Sequence, residues 1–307
     1  MKSHRDLVKE IALNLGFSYC GISKADFLSD EAKHLDTWLK RGYQGKMDYL
    51  ERHFDKRLDP RKLVPGAQSV ISLLYNYAPK KDVTDKVPYK IARYAYGRDY
   101  HFVIKDKLVQ FMDRMKVSIG NIEGRVFVDS APVHERAWAS KSGLGWVGKN
   151  TLLINKDAGS YFFLAELILD LKLESDGPIK DYCGTCTKCM DACPTDAIAE
   201  SYIVDGSRCI SYLTIELKDE IPTEFQNKME GWTFGCDICQ EVCPWNRFSQ
   251  PHKEPQFAPQ GWEELSKIEW EEMTAAVFDN VFKKSPVNRT KFKGLKRNIS
   301  FIQTADR

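Results

Sequence analysis

Eight of the nine cysteines fall between Cys183 and Cys243, and their spacing restricts what this part of the chain can become. The run Cys183-Gly-Thr-Cys186-Thr-Lys-Cys189-Met-Asp-Ala-Cys193-Pro194 reproduces C-x₂-C-x₂-C-x₃-C-P, the bacterial ferredoxin pattern whose fourth cysteine ligates the other cluster of a pair. Cys209 stands alone, and Cys236-Asp-Ile-Cys239-Gln-Glu-Val-Cys243-Pro244 repeats the ending, so an insertion has opened the second half of the repeat. The crossover rule gives Cys183, Cys186, Cys189 and Cys243 to one [4Fe-4S] cluster. It gives Cys193, Cys209, Cys236 and Cys239 to the other, with no thiolate left over. Zinc also takes C-x₂-C pairs, but it closes on four ligands and explains neither the third cysteine at the next x₂ step nor the C-P endings. Clustered thiols fit a reducing compartment, where they bind metal rather than form disulfides. The ninth cysteine, Cys20, lies in the apolar run from Phe17 to Ile22 and reads as a small buried hydrophobe.

At 307 residues the chain exceeds what a ferredoxin module needs, so the clusters serve a larger domain in the same polypeptide. Mixed helical and strand periodicities up to Leu173 predict an α+β (mixed α/β) fold. Strands are expected over 69–75, 125–128, 151–154 and 160–168, and helices near 31–40, 101–116 and 133–141. Composition divides the chain into a large domain over 1–173, the two-cluster module over 174–249, and a connector with a basic segment over 250–307. The net charge of +2 carries no partner information. The amino terminus has neither an apolar signal core nor a twin-arginine pair, and no apolar run is long enough to span a bilayer, so a cytoplasmic protein without membrane association is expected.

Within the large domain, Gly143-Leu-Gly145-Trp-Val-Gly148 matches G-x-G-x-x-G. A dinucleotide fingerprint needs a strand before it and a helix after it. Here a helical stretch precedes and a strand-like one follows, so the glycines serve a tight turn or a close approach. Asp129 ends a strand-like run before Ser130-Ala-Pro132. It admits two readings: a cap for the next helix, which is the commoner role, or a proton donor whose pKa rises in a dry cleft. Lys283 to Arg297 holds seven basic residues and no acidic one, which suits either nucleic-acid phosphates or a solvated tail.

Taken together, several segments resemble the epoxyqueuosine reductases, cobalamin-dependent enzymes acting on transfer RNA. They are Gly42-Tyr-Gln-Gly-Lys-Met-Asp48, Asp59-Pro-Arg61, Ala92-Arg-Tyr-Ala-Tyr-Gly-Arg-Asp-Tyr-His101, Val128-Asp129-Ser-Ala-Pro, Gly143-Leu-Gly-Trp-Val-Gly-Lys-Asn150, both cysteine groups, Arg208-Cys-Ile-Ser-Tyr-Leu213 and Ser285-Pro-Val-Asn-Arg-Thr-Lys291. The resemblance runs nearly end to end. It implies reduction of epoxyqueuosine to queuosine at the wobble position, with a base-off cob(II)alamin beside the two clusters. Asp99-Tyr-His101 begins like the cobalt-ligating D-x-H-x-x-G motif, but the last position is Ile104, consistent with no protein imidazole on cobalt. The resemblance further implies Asp129 as proton donor and cofactor contact, and Arg57, Ala92, Leu153, Leu164 and Ser211 in the corrin pocket. Arg136 would orient substrate, and Arg289, Lys291, Lys296 and Arg297 would contact the tRNA anticodon stem-loop. A low-potential donor such as a flavodoxin or ferredoxin and a monomeric enzyme complete the expectation. The rival classes are a reductive dehalogenase-like cobalamin enzyme and an electron-transfer protein with no catalysis of its own.

Overall fold

Two eight-residue segments, Ser69–Asn76 and Phe162–Leu169, are buried along almost their whole length, which requires cover on both faces of the sheet they form. A computed structural model describes residues 2–304 and supplies that cover; the last three residues of the basic segment lie outside the described range.

The strands in chain order are β1 (Tyr19–Lys24), β2 (Ser69–Asn76), β3 (Lys90–Ile91), β4 (Gly124–Phe127), β5 (Trp146–Val147), β6 (Leu153–Ile154), β7 (Phe162–Leu169) and β8 (Trp232–Phe234). The helices are α1 (His4–Asn14), α2 (Ser29–Lys40), α3 (Phe54–Leu58), α4 (Tyr100–Ile119), α5 (Glu135–Lys141), α6 (Lys188–Asp191), α7 (Ile238–Glu241), α8 (Lys267–Glu271), α9 (Ala275–Phe282) and α10 (Lys291–Gln303). The main sheet has the order β1-β2-β7-β4 and is antiparallel throughout. One face carries Ile71, Leu73, Phe163, Ala165 and Leu167, which pack with Val8, Ile11 and Ala12 of α1 and with Val103, Ile104, Leu108, Phe111 and Met115 of α4. The other face carries Val70, Phe127 and Ile168 against Ala137 and Trp138 of α5, and Leu74 and Leu164 against Ala139. The α+β expectation is met, with helices on both faces of one sheet.

The compositional division does not divide the cores. Tyr89, Ile91, Ala95 and Tyr96 pack with Trp262, Trp270, Phe278, Phe282, Leu295 and Ile299, and β3 pairs in parallel with β8 beside Cys236. The segment around 83–96 therefore staples the carboxy-terminal helices and the cysteine region to the large domain. β1 was legible only as an apolar run. There Cys20 is half-buried against the main core, and desolvation pushes its thiol up to about 12, an inert position. Among the described residues no helix is long and apolar enough to cross a membrane.

Candidate functional site: a carboxylate cleft beside two cysteine groups

The cysteine region has little helix and strand of its own, so neighbours must hold it in place. Cys183, Cys186, Cys189 and Cys243 line one cavity of about 210 Å³, with Tyr182, Lys188, Trp245 and Arg247 at its edge. Electrostatic neighbours put Cys209 beside Cys193, Cys236 beside Cys209 and Cys239, and Cys239 within reach of Cys189. Cys183, Cys186, Cys189 and Cys243 are thus brought around one cavity, and Cys193, Cys209, Cys236 and Cys239 lie near one another beside it. Among the described residues no three of His, Cys, Asp or Glu close on a point as a single ion requires. The Cys183 group surrounds a space instead, and an all-sulfur donor set around a space suits a cluster. Burial pushes the Cys209, Cys236 and Cys239 thiols up, so they become thiolates when a metal takes the charge.

The glycine motif is part of the support for this region. A side chain at Gly145 would lie 2.3 Å from the Ile154 carbonyl, and one at Gly143 would lie 2.5 Å from that of Gly177, so both glycines allow backbones to touch. The residues between and after them reach the cysteines. Trp146 Nε1 donates to Cys183 Sγ at 3.3 Å, Lys149 Nζ donates to the carbonyls of Gly184 and Cys186, and Asn150 Nδ2 donates to that of Cys239.

Asp129 follows β4 with φ 54°, a left-handed backbone that costs an L-residue on the order of 1 kcal/mol and that aspartate tolerates better than most. Its carboxylate does not cap α5, whose N-cap is His134 with no side-chain bond. Instead it accepts from Tyr100 Oη at 2.8 Å and lies 3.2 Å from His101 Nε2. Both partners come from the first turn of α4, which Asp99 caps through the His101 N–H while its carboxylate also meets His101 Nδ1 at 2.7 Å. Tyr100 stacks on Phe163 at 4.2 Å, which fixes its hydroxyl.

Burial raises the Asp129 pKa, but the hydrogen bonds from His101 and Tyr100 outweigh it and leave the carboxyl below its usual range. The rise expected for Asp129 in a dry site does not occur, because the site is not dry of donors. Burial lowers the His101 pKa, and the bonds to Asp129 and Asp99 overturn that and raise it to about 9. The Asp129 side chain is 46% exposed yet strongly desolvated, the signature of a group in the wall of a concavity rather than on a convex surface.

The other candidates fall around that concavity or away from it. Arg57 on α3 donates from Nη2 to the Tyr49 carbonyl at 3.2 Å, while its buried Nε has no partner. Arg136 donates to Thr151, and the Arg57 and Arg136 charges help pull His134 down to about 4, after burial. Ala92 packs against Gly235, where an added Cβ would sit 2.6 Å away, and the Ser211 hydroxyl and N–H face Cys209, so both flank the second cysteine group. Leu153 and Leu164 share a small apolar cluster with Leu74 and Leu144.

The basic segment divides. Arg289 pairs with Glu216 at 2.7 Å and is close enough to Asp129, Tyr49 and Tyr100 to feel them, which places it at the cleft rather than on an outer stripe. Arg297 donates to the carbonyls of Leu213, Leu217 and Asp219, and Lys296 to that of Glu271, so both are internal ties rather than open phosphate contacts. Lys291 is exposed, with one weak bond to Asn288. Sequence reading missed Tyr94, Tyr100, Glu135 and Glu166. Glu166 had a signal, an ionisable residue inside the apolar run Phe-Phe-Leu-Ala-Glu-Leu-Ile-Leu.

Two cysteine groups packed beside a cleft whose carboxylate is served by proton donors define an iron–sulfur oxidoreductase. A family profile described as 4Fe-4S double cluster binding domain matches residues 182–246, and one described as Epoxyqueuosine reductase QueG, DUF1730 matches residues 57–130. The chain is 60% identical over 305 residues to the epoxyqueuosine reductase of Cyclobacterium marinum, covering 99% of this chain and 98% of that one. It is 45% identical over 258 residues to that of Escherichia coli, covering 82% and 68%. A crystal structure of an epoxyqueuosine reductase with an epoxyqueuosine-modified tRNA-Tyr stem loop superposes with a TM-score of 0.88 at 30% identity, covering 98% of this chain and 81% of that one. A Bacillus subtilis epoxyqueuosine reductase, with its catalytic loop swung out of the active site, gives 0.88 at 29%, with the same coverage. This chain belongs to the epoxyqueuosine reductase family.

Proposed function

We propose that this chain reduces epoxyqueuosine to queuosine in transfer RNA, the final step of queuosine synthesis. The observation that carries the reading is the Asp129 carboxylate with Tyr100 and His101 on it, in a cleft beside the second cysteine group. Conversion of the epoxide to the alkene takes two electrons and two protons and releases water. Bound in their sites, two [4Fe-4S] clusters and a base-off cob(II)alamin would supply the electrons, received from a low-potential donor such as a flavodoxin or ferredoxin.

The chain's own residues suit those groups. Arg57 presents a buried, unpartnered N–H suited to a corrin amide oxygen, and Ala92, Leu153, Leu164 and Ser211 would complete the corrin pocket. His101 has both ring nitrogens engaged by carboxylates, which suits a cobalt with no imidazole ligand from this residue.

Protons are the protein's contribution. His101 holds one and passes it through Asp129, which delivers it to the departing epoxide oxygen, and the second comes from solvent as that oxygen leaves as water; Asp99 keeps the imidazole oriented. Arg289 at the cleft, with Arg136, would position the modified nucleoside, and Lys291 would lie toward the anticodon stem, on a helix that Lys296 and Arg297 tie to neighbouring carbonyls. The enzyme would act as a cytoplasmic monomer. An electron-transfer protein without catalysis has no use for the Asp129 network, and this ranks that reading second.

The test is anaerobic turnover of epoxyqueuosine-containing tRNA by cluster-reconstituted protein with cobalamin and a low-potential reductant. Nucleosides are then identified by mass spectrometry. Cobalamin-dependent queuosine supports the reading; none, with clusters and corrinoid bound and a working control, overturns it.

A further inference from the structure

Glu166 is fully buried in the middle of β7, opposite Ser72 on β2 and Phe127 on β4. Neither carboxyl oxygen has a donor among the described residues. The charged group acting on it is a second carboxyl, Glu135 in the first turn of α5, within hydrogen-bonding reach. Two ionised carboxylates do not share an apolar site, so the pair holds at least one proton, and carried by Glu166 it makes that otherwise unbonded carboxyl a donor to Glu135. On its other side Glu135 Oε1 accepts the Asp129 backbone N–H at 2.6 Å.

We propose that Glu166 and Glu135 form a shared-proton latch that positions Asp129. The Glu166 carboxylic acid donates to Glu135, and Glu135 holds the Asp129 N–H, so the left-handed turn keeps its side chain toward Tyr100 and His101. Both glutamates are positioning residues; neither touches substrate. The value of the latch to catalysis rests on the proposed role of Asp129, but its existence does not.

Burial first pushes both carboxyls up, and the Glu135 charge adds to the rise of Glu166; the Asp129 charge adds to the rise of Glu135, while the Asp129 N–H, the hydrogen bond from Glu166 and Arg136 oppose it. As pH rises and the shared proton leaves, two buried charges face each other behind a third, and the latch loosens.

The test is hydrogen exchange of the Asp129 amide, read by peptide mass spectrometry on the full chain with its clusters and without corrinoid or RNA. In the wild type the amide is protected at neutral pH, and protection falls on the alkaline side beyond the intrinsic rise in exchange. Glu166→Gln supplies an amide donor in place of the acid, so protection stays within about threefold of wild type and the alkaline fall disappears. Glu166→Leu removes the donor that holds Glu135 from behind, and protection falls by about tenfold. The amides of Ile71 and Leu73 in β2 report whether each variant is folded. Wild-type protection in a folded Glu166→Leu, or an unchanged alkaline fall in Glu166→Gln, overturns the latch. Should Glu166→Leu not fold, Glu166→Gln decides alone. None of these readings depends on turnover, so a negative result here is distinct from failure of the proposed reaction.

Discussion

His101 Nε2 lies 3.2 Å from Asp129 Oδ2, and the imidazole therefore joins the cleft carboxylate to Asp99 behind it. With His101 raised to about 9 and Asp129 below its usual range, the proton at neutral pH rests on the imidazole. The folded His101 pKa lies above the unfolded value of 6.5. The stability it contributes is therefore complete below 6.5 and is lost as pH rises through about 9. Single-turnover rate is expected to fall through the same alkaline limb. His101→Asn removes that limb from the rate and from the unfolding midpoint; a limb unchanged in the variant would assign it elsewhere.

Asp129→Asn keeps a residue at ease in the left-handed region, so folding and cluster content stay as in the wild type. The amide cannot relay a proton, and the single-turnover rate falls by about 10²–10⁴. The dissociation constant for substrate tRNA changes by less than about threefold, since no phosphate contact is lost. Rapid-quench kinetics with parallel filter binding separates the two effects.

Trp146 gives its indole N–H to Cys183 Sγ, and hydrogen bonds to cluster sulfurs raise reduction potential. Trp146→Phe keeps the ring packing against Tyr182 and Trp245 and deletes the donor. The cluster held by the cavity group is expected to become harder to reduce, with the other cluster unmoved. A redox titration followed by electron paramagnetic resonance checks this; a potential unchanged or shifted upward would contradict it.

The cysteine spacing was legible because it is a local pattern, and the two central strands, β2 and β7, were legible because they are largely apolar. The proton network was not. His101 and Asp129 are 28 residues apart, and only the packing of α4 across β4 brings them together. Reading Asp129 alone suggested a cap or a raised pKa, since neither donor was in view. The basic run misled in part for a similar reason, because charge pattern does not tell which side of α10 faces the π-helical turn at Tyr212–Glu216.

Two residues of that run separate structure from recognition. Arg297 ties the Leu213 carbonyl within that turn and those of Leu217 and Asp219 after it, so Arg297→Ala should cost about 2–3 kcal/mol and lower the apparent unfolding midpoint by several degrees. Its salt slope for tRNA binding stays that of the wild type. Lys291 is exposed and, among the described residues, makes a single 3.3 Å bond to Asn288. Lys291→Ala should leave the midpoint within about 0.5 kcal/mol and reduce the slope of log affinity against log salt by about 0.7–1. Thermal unfolding and binding at several salt concentrations, measured on both variants, test the assignment. A reversal, with Arg297→Ala altering only the slope, would put that guanidinium on phosphate and the carbonyl ties in second place.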